Sequence, residues 1–205
     1  MVPTFSIQQA YSGREATAIA VAAPPLGLSY RRSEHPIPGA IPIGSVEYCQ
    51  QTTNYPVTFF PPSIYHMIHR EHLFSFGNTR LVLPSYVKDL SGWKTPFETR
   101  CYPSGTILPE GHWLISKPLP PGNEWRYYVV QGETVSVGWY RGDYEDKPHP
   151  ELSFPKDITG TVDIMETPCG LELLEYHAPI ACGWYGEGYD DYVIWLYFAH
   201  LSTGN

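Results

Sequence analysis

The chain has 205 residues, 42% of them apolar and 15% aromatic, with a formal net charge of −8. This is the composition of a folded globular chain, one well-buried domain or two small lobes sharing a cleft, and it excludes a disordered acidic tail. The acidic balance also disfavours general adhesion to nucleic acid or to an anionic membrane surface, both of which need a basic face.

In chain order, residues 17–28 form an early apolar run broken by Pro24 and Pro25, with no basic segment ahead of it. It is expected to hold a buried strand over residues 17–23, and not a signal peptide or membrane span, which places the chain in the cytoplasm. The four cysteines, Cys49, Cys101, Cys169 and Cys182, show no CxxC pair or zinc-knuckle spacing, so buried free thiols are expected, with a disulfide as the alternative. A second strand is expected over residues 40–48, after a Pro- and Gly-marked loop. Residues 61–70 begin with prolines and a serine and carry Ile64, Met67 and Ile68 at helical spacing, predicting a short amphipathic helix. His66, His69 and His72 would share one face of it; nothing nearby adds a ligand, and surface histidines are common, so their spacing alone does not make a metal site.

From Arg80 onward the pattern is β-rich. Strands are expected over residues 81–87 and 113–116, and a hairpin over 125–130 and 134–140 turning at Gln131, Gly132 and Glu133. The Pro-rich stretch 141–155 is expected as loop or very short helix. A second hairpin follows over residues 161–179, turning at 167–170, and after a Gly- and Tyr-rich loop at 181–191, residues 192–200 close the chain as helix or strand. The 21 prolines and 18 glycines predict short strands and few long helices.

The second hairpin carries the most informative polar groups. Glu175 and His177 are two residues apart on one strand and project from one face, and Asp163 lies on the partner strand. A tight turn at 167–170 pairs Glu166 with Leu171 and sets Asp163 opposite Leu174, facing away from Glu175. A one-residue shift, through a bulge or an odd loop, brings Asp163 opposite Glu175 instead. The shift is expected, because without it acids would stand on both faces of a sheet that should bury one. Two other features need partners. Lys88 and Lys94 flank a flexible glycine, and Arg126 lies within the apolar strand EWRYYVV, where Glu124 or a ligand must meet it.

The order VKDLSGWKTPFET, then HWLISKPLPPGNEWRYYVVQGETVSVGWYRG, then TVDIMETPCGLELLEYHAPIACGWYGEG, together with IPIGSVEYC, resembles the ATP-grasp superfamily, closest to a phage-associated clade named for one arginine and two lysines. The resemblance spans residues 41–192. It implies an α+β fold in which two antiparallel sheet layers enclose a nucleotide cleft, with a short α/β element over residues 1–60 and the catalytic domain over 61–205. It further implies that Lys88 and Lys94 contact ATP phosphates, that Arg126 stabilises the transferred phosphoryl group with help from Arg141, and that a hinge at 115–119 meets adenine. Ser116, Lys117, Leu119 and Glu124 complete the nucleotide contacts. Asp163, Glu175 and His177 would hold magnesium, or manganese. The sequence departs from the clade at Lys117, where an acid is usual, and at His177, where asparagine is usual.

The activity implied is ATP-dependent ligation of a carboxylate to an amine through an acyl phosphate, on small-molecule or peptide substrates, with no membrane partner and nucleic acid disfavoured. The absence of a GxSxG elbow or a Cys/His nucleophile motif agrees with a reaction that needs no covalent side chain. A catalytically impaired nucleotide-binding regulator and a purely structural β-rich protein are the alternatives. ATP binding separates the first two from the third, and turnover separates the first from the second.

Overall fold

The computed structural model describes residues 1–53, 60–92, 97–142 and 148–204. Lys94 and the central part of the 141–155 loop lie outside them.

The N-terminal part is a parallel sheet. Strand β1 (Phe5–Gln8) pairs with β2 (Tyr30–Ser33) on one side and β3 (Ile41–Ile43) on the other. The crossover from β1 to β2 is made by helix α1 (Arg14–Ala22), in place of the strand expected over residues 17–23. Thr17, Ile19 and Val21 alternate as a strand would, but alanine fills four of the nine helix positions, and alanine loses no side-chain entropy in a helix. Glu15, Ala18, Ile19 and Ala22 form the buried helical stripe. The second expected strand also stops early. It ends at Ile43, and Ser45 caps a one-turn helix, α2 (Val46–Cys49), by accepting a hydrogen bond from the Tyr48 N–H at 3.2 Å.

Residues 62–67 form a 3-10 helix, Pro62–Met67, and lead into a sheet of order β4-β9-β6-β7 made of β4 (His72–Phe76), β6 (Ser85–Asp89), β7 (Arg100–Tyr102) and β9 (His112–Ser116). A small pair, β5 (Thr79–Arg80) and β8 (Ile107–Leu108), flanks it. Strand β6 begins after Pro84 and not at Leu81, since a proline offers no N–H to a ladder. The other large sheet has the order β11-β10-β12-β13 and comprises β10 (Glu124–Val130), β11 (Glu133–Arg141), β12 (Gly160–Thr167) and β13 (Gly170–His177). The β10–β11 turn is the two-residue type I′ kind, with positive φ at both Gln131 (48°) and Gly132 (84°).

Strand β10 explains the apolar run EWRYYVV, because both its faces are covered. Trp125, Tyr127 and Val129 pack in a core with Ile64, Ile164 and Leu173. Tyr128, on the opposite face, packs with Trp184 and with Trp195 of the closing helix α3 (Tyr189–Ser202). That same cluster contains Phe5, Ile7 and Ile19, so α3 and α1 pack together and the first residues share a core with the last. Among the described residues no helix is long and apolar enough to cross a membrane.

Candidate functional site

Two cavities open beside the antiparallel sheets. The larger, about 740 Å³, is lined by Tyr86 and Lys88 of β6, Arg100 and Cys101 of β7, Ser116 of β9, residues 117 and 119–122 after it, and Glu124, Tyr140, Arg141, Leu174 and Glu175 from the other sheet. The smaller, about 460 Å³, is lined by Tyr11, Val46, Asp89, Phe97, Arg126, His177, Ile180 and Tyr185, among others. Lys88, Thr99, Tyr140 and Glu175 line both.

The β12–β13 register places the acids at this shared wall. Thr167 pairs with Gly170 and Glu166 with Leu171, and the ladder then shifts between Asp163 and Ile164, so that Asp163 stands opposite Glu175. The expected one-residue shift is therefore present, and it takes the form of an irregularity at Leu174, a residue that lines the larger cavity. Ligating atoms of Asp163, Glu175 and His177 all lie within 4.8 Å of one another. Two carboxylate oxygens and an imidazole nitrogen fit a divalent ion, the oxygens suiting magnesium and the nitrogen making manganese at least as acceptable.

Each acid already has a basic partner. Arg126 stands directly opposite Asp163 across β10 and β12 and binds it bidentately, Nε to Oδ1 at 2.7 Å and Nη2 to Oδ2 at 2.6 Å. The Arg126 guanidinium also lies 4.9 Å from the Tyr140 ring centroid and 5.2 Å from that of Tyr185. Burial opposes its charge, but the hydrogen bonds and charge of Asp163 more than offset this and raise its pKa well above the ordinary value. The partner expected for Arg126 from its neighbours is Glu124; the sheet supplies Asp163 instead. Lys88 Nζ binds Glu175 Oε1, and His177 Nε2 lies 2.8 Å from Glu175 Oε2. Burial pushes the Glu175 carboxyl up, but Lys88 and His177 overcome it and leave the group well below the usual carboxylate range.

Glu124 behaves in the opposite sense. It is buried at the edge of the larger cavity, and burial, with the charge of Asp163 beside it, raises its pKa to about 7 against the pull of Arg141 and Arg126. Arg141 faces it across the β10–β11 pair.

Loop 184–186 is set by the N-terminal part. Arg14 donates to the Gly186 carbonyl at 2.9 Å, and Glu15 Oε1 accepts from the Trp184 N–H at 2.8 Å. The loop lies against β11 at Gly138, where an added Cβ would come within 2.4 Å of the Tyr185 carbonyl carbon. This contact carries Tyr185 to Arg126.

One network has no counterpart in the sequence reading. The buried Arg70 guanidinium donates to Glu172 Oε1 and to the Leu173 carbonyl, both at 2.6 Å, and to Ser116 Oγ at 3.1 Å, tying the 3-10 region and β9 to β13. The signal for it is Glu172 itself, an acid within the apolar run GLELLE that, once buried, has to find a cation. The histidines do not assemble: His69 Nδ1 bonds the Leu171 carbonyl and His72 Nδ1 the Arg70 carbonyl, each at 2.9 Å. The four cysteines are free, as expected; Cys49 and Cys182 are buried, but Cys101 and Cys169 are exposed.

The strand-rich mixed α/β architecture with several antiparallel sheets agrees with an ATP-grasp domain. The chain belongs to an ATP-grasp domain family, the third family of the clade named for one arginine and two lysines, whose model matches residues 34–169. No curated protein matches the chain. The matched span includes Lys88, Arg126 and Asp163 and ends before Glu175 and His177. ATP-grasp domains bind ATP, typically with a divalent metal, and their chemistry is of the ligase type.

Proposed function

We propose that the protein is an ATP-dependent carboxylate–amine ligase that holds the nucleotide in the 740 Å³ cavity and the acceptor in the 460 Å³ one. The observation that carries this reading is the division of charged groups between the two. Lys117, Arg141 and Glu124 face only the larger cavity, Arg126 and His177 only the smaller, and Lys88 and Glu175 both. A terminal phosphoryl group at the shared wall is then within reach of each.

The hinge limits how adenine binds. Positions 118, 120 and 121 are prolines with no N–H, and the Lys117 N–H is taken by the Glu71 carbonyl at 3.0 Å. Within residues 117–121, Leu119 is left to donate to a ring nitrogen of the base, with neighbouring carbonyls to accept from an exocyclic amine. Lys88, and Lys94 from outside the described residues, supply point charges for the polyphosphate. A divalent ion held by Asp163, Glu175 and His177 would neutralise phosphate charge and orient the terminal group.

In the reaction, an acceptor carboxylate oxygen attacks the terminal phosphorus and the bond to ADP breaks. The amine then attacks the acyl carbon, phosphate leaves, and the amine gives up a proton. Arg126 keeps Nε and Nη2 on Asp163 and so has Nη1 to offer the transferring group. Because it faces the acceptor side, Arg126→Lys should lower turnover far more than nucleotide affinity.

The first test is thermal stability with ATP, ADP or GTP, with and without magnesium or manganese, since a ligand of the native state raises the midpoint. Its companion is alkylation: ATP should protect Cys101, which lines the larger cavity, and leave the exposed Cys169 at the hairpin turn reactive. Equal protection of both, or of neither, would remove the nucleotide from this cavity. Phosphate release across a panel of carboxylates and amines then separates a ligase from a nucleotide-binding regulator; the engagement of both metal-site acids by basic side chains is what favours the second reading.

A further inference from the structure

We propose that Lys88 is the resident cation of the Asp163–Glu175–His177 cluster in the ligand-free protein, and that nucleotide admits the metal by drawing Lys88 away. The proposal rests on the larger cavity being the nucleotide site.

The cluster's carboxylate oxygens are fully engaged. Arg126 takes both oxygens of Asp163, Lys88 takes Oε1 of Glu175, and His177 takes Oε2. Two carboxylates face the two cations Arg126 and Lys88, so a divalent ion arriving alone meets an electrostatic field that is already compensated.

The two cations differ in how they can leave. The Arg126 fork is bound at two nitrogens in a rigid geometry and lies against Tyr140 and Tyr185, so it stays with Asp163. Lys88 holds Glu175 through a single ammonium on a flexible four-carbon stem, and it lines both cavities. A phosphate in the larger cavity offers the ammonium a new partner on the same wall. When Lys88 moves to it, Glu175 Oε1 is freed and the cluster becomes net negative, at the moment when phosphate oxygens also become available to complete the coordination sphere. Metal and nucleotide should therefore bind with strong mutual coupling, and metal alone should bind poorly.

The test is Mn²⁺ binding to the full chain without nucleotide, read as the free-ion electron paramagnetic resonance signal. Lys88→Met should bind Mn²⁺ roughly tenfold or more tightly than the unaltered protein, and AMP-PNP should tighten Mn²⁺ binding in the unaltered protein more than in the variant. Equal or weaker Mn²⁺ binding by Lys88→Met overturns the proposal. A second measurement uses the unaltered protein and so survives a variant that does not fold: AMP-PNP should tighten Mn²⁺ binding to it roughly tenfold or more, after correction for the ion held by free nucleotide, and Mn²⁺ binding that is equally tight with and without AMP-PNP overturns the proposal equally. If ATP neither stabilises the protein nor protects Cys101, the nucleotide-site reading fails on its own evidence, separately from these two outcomes.

Discussion

Replacing Glu124 with glutamine should make the protein more stable above neutral pH and change it progressively less as the pH falls. In the unfolded chain this carboxyl titrates near 4.5; in the folded protein burial and Asp163 carry it to about 7. The native state therefore holds the proton more tightly, and the contribution of this group to stability is greatest below pH 4.5 and declines as the pH rises to 7. A shift of that size corresponds to about 3 kcal/mol at roughly 1.36 kcal/mol per unit, most of it developing between about pH 5 and 8. Glutamine keeps the shape and loses the titration. Any packing cost of the amide is the same at every pH, so the quantity to read is how the difference between the two proteins changes with pH. Urea denaturation at about pH 5, 6, 7 and 8 measures it directly. Glu124→Gln should gain roughly 2 to 3 kcal/mol on the native protein across that series. Parallel stability curves would refute the view that a carboxylate is buried at a cost beside the larger cavity.

Further outcomes follow from the same contacts. Gly160→Ala places a Cβ 2.1 Å from the His177 carbonyl oxygen at a φ of 151°, whereas Gly170→Ala meets nothing within 4 Å at a φ of 123°. Both should cost the roughly 1 to 3 kcal/mol of backbone strain, but only Gly160→Ala should go beyond it and also weaken Mn²⁺ binding measured with AMP-PNP present; equal losses would argue against close packing there. Glu172→Gln leaves the buried Arg70 without its carboxylate and should cost about 3 to 5 kcal/mol by urea denaturation, and a loss below about 1 kcal/mol would show that the pair does not lock the two sheets together.

The two hairpins of the larger sheet are legible in the sequence because their signals are local: alternating side chains, a Gln-Gly turn, and acids whose placement makes sense in one register only. The bulge opposite Asp163 follows for that reason from the need to keep charged groups on one face. Helix α1 reads as a strand because Thr17, Ile19 and Val21 alternate, while the small alanines around them give no hint that Ala16 and Ala18 pack fully buried in the core shared with α3. The partner of Arg126 and the Arg70–Glu172 lock depend on residues 37 and 102 positions away, and neither is visible until strands pair across the sheet. Lys88, Arg126 and the acids can be nominated from their cost in apolar strands; the split into two cavities with a shared wall belongs to the packing.

The sharing of one core by Phe5, Ile7, Ile19 and Trp195 bears on the order in which the protein folds. A parallel three-stranded sheet with a single helix cannot cover both its faces, so residues 1–43 have no complete folded state of their own. They need α3, more than 140 positions further along, and contacts between residues so distant in sequence slow closure. Arg14 and Glu15 reach loop 184–186 only at that final step, and Tyr185 comes to Arg126 with it. A chain that stalls before α3 should therefore have both hairpins formed and the smaller cavity still open.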